Sequence, residues 1–185
     1  MTKEYKAWKG ILQRCYEPAS LLKFPTYVGC SMSDNFRHYS YFYDWYRKQI
    51  GWDKNYHVDK DLLVFGNKQY HEDLCVLLPR EINIALTTGG SRRGEQPLGV
   101  NRTQDGKFVA RCWQGDKGHV YLGRYKDQES AYEVYCKSKD KYMQSLADKY
   151  FNQVDGRVID KLRMFSISEF VKGVLASTGE CEACQ

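Results

Sequence analysis

The stretch PLGVNRTQDGKFVARCWQGDKGHVYLGRY, residues 97–125, decides the fold. It holds three short runs of alternating apolar and polar residues, separated by glycine-bearing turns. Leu98 to Arg102 is expected as one strand, Lys107 to Trp113 as a second and His119 to Tyr125 as a third. Turns fall at Asp105-Gly106 and around Gly115 to Gly118. Successive side chains of a strand point to opposite faces. Val100, Phe108, Ala110, Cys112, Val120 and Leu122 therefore share an apolar face. Asn101, Lys107, Val109, Arg111, Trp113, His119 and Tyr121 share the other, with Arg102 and Arg124 nearby. From Gln128 to Tyr150, Ala131, Val134, Tyr135, Met143 and Leu146 recur at helical spacing, which predicts one long helix to cover the apolar face.

The polar face has the composition of a nucleic-acid surface. The major groove of B-DNA admits a narrow β-ribbon. Arg111 can pair bidentately with a guanine edge, and Trp113 and Tyr121 can pack on sugars or thymine methyls. Lys107, Arg102 and Arg124 can hold phosphates. The alternative is an ordinary solvated sheet face rich in Arg and Tyr. Upstream lies TTGGSRRGEQP, residues 87–97, a Gly-, Thr- and Ser-rich linker. Its Arg92 and Arg93 are expected along phosphates or in a neighbouring minor groove, as basic arms are in other binders.

The whole chain has 185 residues and a formal charge of +5, room for one domain or two small ones. That balance permits directed nucleic-acid binding without histone-like coating. Seven cysteines at irregular spacing argue against a disulfide framework and for a reducing compartment. The one CxxC, Cys181 to Cys184, has no second pair at zinc-finger spacing, so structural zinc is not expected. No run is apolar enough to span a bilayer, and no membrane partner is expected.

The first half reads as helix, then short strands. Tyr5, Trp8, Ile11, Leu12 and Cys15 predict an amphipathic helix over Glu4 to Tyr16. Phe36, Tyr39, Phe42, Tyr43, Tyr46 and Ile50 predict a second over Asn35 to Ile50, with Asp34 as its cap. The aromatic stripe reads as core, and the same aromatic-rich half offers a homodimer surface. His57 to Val64 and Leu74 to Leu78 read as extended, and Pro79 opens a helix over Arg80 to Leu86. Leu162 to Ile167 reads as a further strand.

Two resemblances run through the chain in order. Gly99-Val100-Asn101-Arg102, GKFVAR from Gly106, VYLGRY from Val120 and the helix that follows resemble the AP2 domain. That family lays a three-stranded sheet, backed by a helix, in the major groove. By position, the resemblance puts the DNA contacts on Asn101, Lys107, Arg111, Trp113, His119 and Tyr121. Arg111 stands where Glu is usual, Trp113 where Arg is usual and Tyr121 where Trp is usual, so the target sequence does not carry over. KAWKGILQRCY from Lys6, YVGC from Tyr27 and VDKDL…GN…Y…C from Val58 resemble the front half of phage HNH-type homing endonucleases that carry an AP2-like module.

The HNH resemblance implies a ββα site with a metal-binding carboxylate, a general-base His and an Asn or His on the metal. Asp59 matches the carboxylate. Lys60 stands where the base would be, and an ordinary ammonium is protonated at neutral pH. Leu74 stands where Asn is expected, and leucine binds no metal. Rescue would fall to His57 or His71 as base, with Asp61 or Asp73 as second ligand. The alternative is that these are solvated or ion-paired surface groups.

The expectation is an α+β chain. Residues 1–86 form an HNH-like (degenerate nuclease) domain and 87–97 a basic linker. Residues 98–150 form an AP2-like domain, and 151–185 a C-terminal extension. Its expected partner is double-stranded DNA in the cytoplasm of a bacterial host, with the nucleoid or phage DNA. Its expected function is site-specific binding by a domesticated endonuclease of phage or phage-satellite origin, repressing transcription without a cofactor. An active Mg²⁺-dependent endonuclease is the second reading, and a protein-binding sheet face the third.

Overall fold

The computed structural model describes residues 1–87 and 96–178. Arg92, Arg93, Cys181 and Cys184 lie outside the described residues. The fold is mixed α+β with three small sheets, in two compact units: Met1–Arg80 with Tyr150–Lys161, and Glu81–Lys149 with Leu162 onward. Among the described residues no helix is long and apolar enough to cross a membrane.

In the first unit, α1 (Lys3–Tyr16) starts at Thr2, whose hydroxyl accepts from the Tyr5 N–H. It buries Ile11 and Cys15 and is followed by the short α2 (Pro18–Lys23). β1 (Ser31–Met32) leads into α3 (Asp34–Arg37) and α4 (Tyr39–Lys48). The single helix expected over Asn35 to Ile50 is thus two, split at His38, which is extended. The break turns Phe36 inward, its ring 5.1 Å from Phe42 and 4.8 Å from Trp45. It also presents the Phe36 carbonyl to the Trp8 indole N–H at 2.8 Å. The cap is Ser33, whose hydroxyl accepts from the Phe36 N–H, and not the expected Asp34.

β2 (His57–Asp59) and β4 (Val76–Leu78) pair antiparallel, and β3 (Gln69–Tyr70) pairs parallel with β1. The strand expected over His57 to Val64 stops at Asp59. Its Oδ1 accepts from the N–H groups of Asp61 (3.0 Å) and Leu62 (2.8 Å) and turns the chain. Ile11, Phe36, Phe42, Tyr46, Tyr70, Cys75 and Leu77 close one core.

The second unit takes in α5 (Arg80–Leu86) from Glu81 and continues through β5 (Val100–Arg102), β6 (Phe108–Trp113), β7 (His119–Tyr125) and α6 (Gln128–Lys149). The three strands form one antiparallel sheet with β6 central. α6 packs on it through Ala131, Tyr135, Met143 and Leu146. Gly99 precedes β5 at φ +75°, where a Cβ would stand 2.0 Å from the Tyr135 ring, so only glycine lets strand and helix approach this closely.

The sequence places the domain boundary at 87–97, but the units divide at Arg80/Glu81. The reason is that α5 is tied to α6. Lys139 Nζ donates to the Ala85 carbonyl at 2.5 Å, Tyr142 Oη donates to Glu81, and Lys149 pairs with Glu81. The strand expected over Leu162 to Ile167 is instead the end of α7 (Gly156–Arg163) and the start of α8 (Ile167–Thr178). Val158, Ile159 and Leu162 are buried at helical spacing. Asp155 accepts from the Arg157 N–H at the start of α7, and Asp140 from the Ile167 N–H at the start of α8.

Candidate nucleic-acid interface

The outer face of β5–β6–β7 gathers most of the residues singled out from sequence. Arg111 and Tyr121 are cross-strand partners, as are Trp113 and His119, and Asn101 faces Val109. Asn101, Lys107, Arg111, His119, Tyr121 and Arg124 are exposed, Tyr121 at 58%; Arg102 is exposed too, but it pairs across from Phe108 and so has the parity of the opposite face. On the opposite face Ala110 and Cys112 are buried against α6.

A β-bulge sets which β7 side chains join this face. Gly123 opposes Ala110 and Tyr121 opposes Arg111, leaving Leu122 as the extra residue. Unbroken alternation from Tyr121 would carry Gly123 and Tyr125 outward and Arg124 inward. The bulge reverses this. Arg124 pairs across from Val109, in one row with Asn101, and Tyr125 faces Phe108. Flanked by those longer side chains, Val109 is only 8% exposed, although its parity is outward.

Two members of the face are less free than the sequence implies. Trp113 is half-buried, its ring edge-on to Tyr142 of α6 at 6.0 Å and 86°. That contact braces the end of β6 against α6. Arg124 is ion-paired with Asp105, whose carboxylate also accepts from the Thr103 hydroxyl at 2.6 Å. These bonds hold the Asp105 carboxyl below its usual range and fix the guanidinium over the β5–β6 turn.

The stretch around Asp59 and Leu74, expected from sequence to resemble an HNH site, is organised differently from a metal centre. Asp59 sits partly buried at the end of β2, with Oδ1 on two backbone N–H groups. Desolvation pushes its carboxyl up to about 6. Lys60 is 5% exposed, and its ammonium donates to Asp61 Oδ1 (2.5 Å) and the Asn67 carbonyl (2.6 Å). Asn67 answers by donating to the carbonyls of Lys60 and Gln69. Lys60 therefore pins the 60–69 loop, with Tyr70 under its charge at 5.8 Å.

His57 is exposed, and among the described residues no hydrogen bond joins it to Asp59. His71 Nδ1 accepts from the Asp73 N–H at 3.2 Å, with Glu72 and Asp73 carboxylates each at 3.7 Å. Leu74 is half-buried and apolar. Beside it Cys75 is buried, its thiol pushed up to about 12. Among the described residues no three His, Cys, Asp or Glu side chains converge as metal ligands. The donor set fits a divalent ion poorly: Asp59 is engaged with backbone, its neighbour is a cation, and Leu74 offers no lone pair.

Sequence reasoning missed Lys139 and Gln96. Lys139 is 6% exposed on the inner stripe of α6, four residues from both Tyr135 and Met143. That spacing, a lysine inside an apolar stripe, was the available signal. Gln96 Oε1 is buried without a hydrogen-bond partner, which no local pattern announces. Compared with family models, with curated proteins and with solved structures, the chain gives no match.

Proposed function

We propose that the chain is a sequence-specific double-stranded DNA-binding protein that reads its site with the β5–β6–β7 sheet. The observation that carries this is the pairing of Arg111 with Tyr121 at the middle of an open face whose neighbours are Asn101, Lys107 and His119. Three antiparallel strands backed by one helix are what an AP2-like module would require. Arg111 supplies a bidentate donor fork, Tyr121 an exposed flat ring, and the Lys and Arg rim the phosphate contacts.

The same reading takes the first unit as a domesticated HNH homing-endonuclease scaffold. An antiparallel strand pair precedes α5 in chain order, and the positions that match the motif serve structural roles. Lys60 braces a loop, Asp59 ends a strand and Leu74 is apolar. A protein that occupies a site without cutting it blocks polymerase, so repression of a promoter in a phage or phage-satellite setting is the use that follows.

The test is duplex binding by fluorescence anisotropy across a salt series, with sites first selected from a random library. A steep slope is expected, about −0.9 per phosphate neutralised on a log–log plot. A flat response would point instead to a protein partner for the aromatic face.

A further inference from the structure

β5 is shorter than its neighbour, and the difference leaves a gap in the sheet. β5 pairs with β6 from Phe108 to Ala110 only, after which a single bond joins the Arg111 N–H to the Gly99 carbonyl. Beside Arg111 and Trp113 the sheet edge has no β5 partner, and α6 is approached from the outer side. A cavity of about 970 Å³ opens there. Lys139 and Tyr135 of α6 line it, with Gln96 and Leu98 ahead of β5 and Arg111, Trp113 and His119 at the sheet.

Its chemistry is lopsided. Four basic side chains line it, Arg102, Arg111, His119 and Lys139, and among the described residues no acidic one does. The Lys139 ammonium spends one of its three N–H groups on the Ala85 carbonyl. Among the described residues no carboxylate lies within ion-pair distance of it. Asp140 acts on it only from beyond ion-pair distance, and a buried cation without a close counter-charge is costly. Gln96 Oε1 is a second unmet group, an acceptor shut away from water. Most of the remaining wall is apolar, with two rings, Tyr135 and Trp113, beside Leu98, Val100 and Ile84; Thr87 and Asn101 are its other polar members.

We infer that this cavity is a binding site for a small planar organic anion, with the anion on Lys139, a hydrogen-bond donor on Gln96 and the ring between Leu98, Tyr135 and Trp113. A nucleoside monophosphate and an aromatic carboxylate share that chemistry. Arg111 and His119 belong to both the cavity and the proposed DNA face, so the occupant and a duplex exclude one another. That second part rests on the proposed DNA function, and it makes the anion an effector.

The test uses ¹⁵N-labelled full-length protein, titrated to millimolar levels with AMP, salicylate and, as a pure-charge control, inorganic phosphate. AMP or salicylate is expected to shift the Trp113 indole and Gln96 amide signals saturably, more than phosphate does. Whichever of the two binds more tightly identifies the source. Lys139→Gln should weaken binding by about tenfold or more. Because Lys139 also anchors α5, Gln96→Leu, which leaves that anchor in place, serves as the second variant and should weaken binding severalfold. The inference is overturned if neither aromatic anion moves those signals, if phosphate alone moves them equally, or if Gln96→Leu binds like the native chain. Displacement of a labelled duplex by the bound anion supports the effector role, and binding without displacement overturns it. A chain that takes up the anion but no duplex loses the DNA function and keeps the site.

Discussion

Asp59 and Lys60 are neighbours with opposite electrostatic problems. The buried lysine gathers Asp61 and a carbonyl as partners, whereas the aspartate is desolvated and held at about 6. An unfolded Asp titrates near 3.9. The folded state therefore holds the Asp59 proton more tightly than the unfolded state. Its contribution is full below the ordinary carboxyl value and is lost as pH rises through about 6. Asp59→Asn should flatten that fall, on the order of 2–3 kcal/mol, in urea midpoints measured between the two values. An unaltered pH profile would mean that Asp59 ionises freely. On the proposed DNA-reading face, Arg111→Ala should cost ~1–3 kcal/mol at the cognate site and relax discrimination at one base pair. Asp105→Asn should act in the other direction. Freed of its partner, Arg124 becomes available to phosphate. Affinity for every duplex should then rise, and the salt slope should steepen. Specificity that changes while the slope stays fixed would place Arg124 at a base instead.

The bulge in β7 decides the composition of the proposed reading face. Gly123, at φ +136°, has no room for a Cβ, which would stand 2.6 Å from Tyr125 Oη. Gly123→Ala should cost ~1–3 kcal/mol in chemical denaturation. It should also break the Arg124–Asp105 pair, which loss of the salt-dependent effect of Asp105→Asn would register. Period-two alternation sufficed to find β6 and to put Arg111 opposite the buried Ala110 and Cys112, because parity within one strand is local. It could not place Arg124, since a bulge is a property of the ladder and only Gly123 hints at it. The break at His38 was hidden for a similar reason. The aromatic stripe of α4 is helical on either side, and it is the Phe36–Phe42–Trp45 packing that makes the chain turn there.

The chain divides into two units whose boundaries cross the sequence order. A Gly- and Ser-rich stretch looks like a domain boundary, yet α5 before it is bonded to α6 by Lys139 and Glu81. Those are contacts at a sequence separation no local signal carries. The last helices were misread because an apolar run such as Leu162 to Ile167 fits either period until Val158 and Ile159 are counted with it. At this scale the proposed function gives the first unit a structural role and the sheet unit the role of DNA recognition. Genome-wide footprinting with the purified full-length protein in Mg²⁺, read for both occupancy and strand breaks, tests that assignment most directly. The expected result is discrete protected sites without breaks, lost in an Arg111→Ala, Tyr121→Ala double variant. Breaks at those sites that vanish with Asp59→Ala, or protection that survives the double variant, would contradict it.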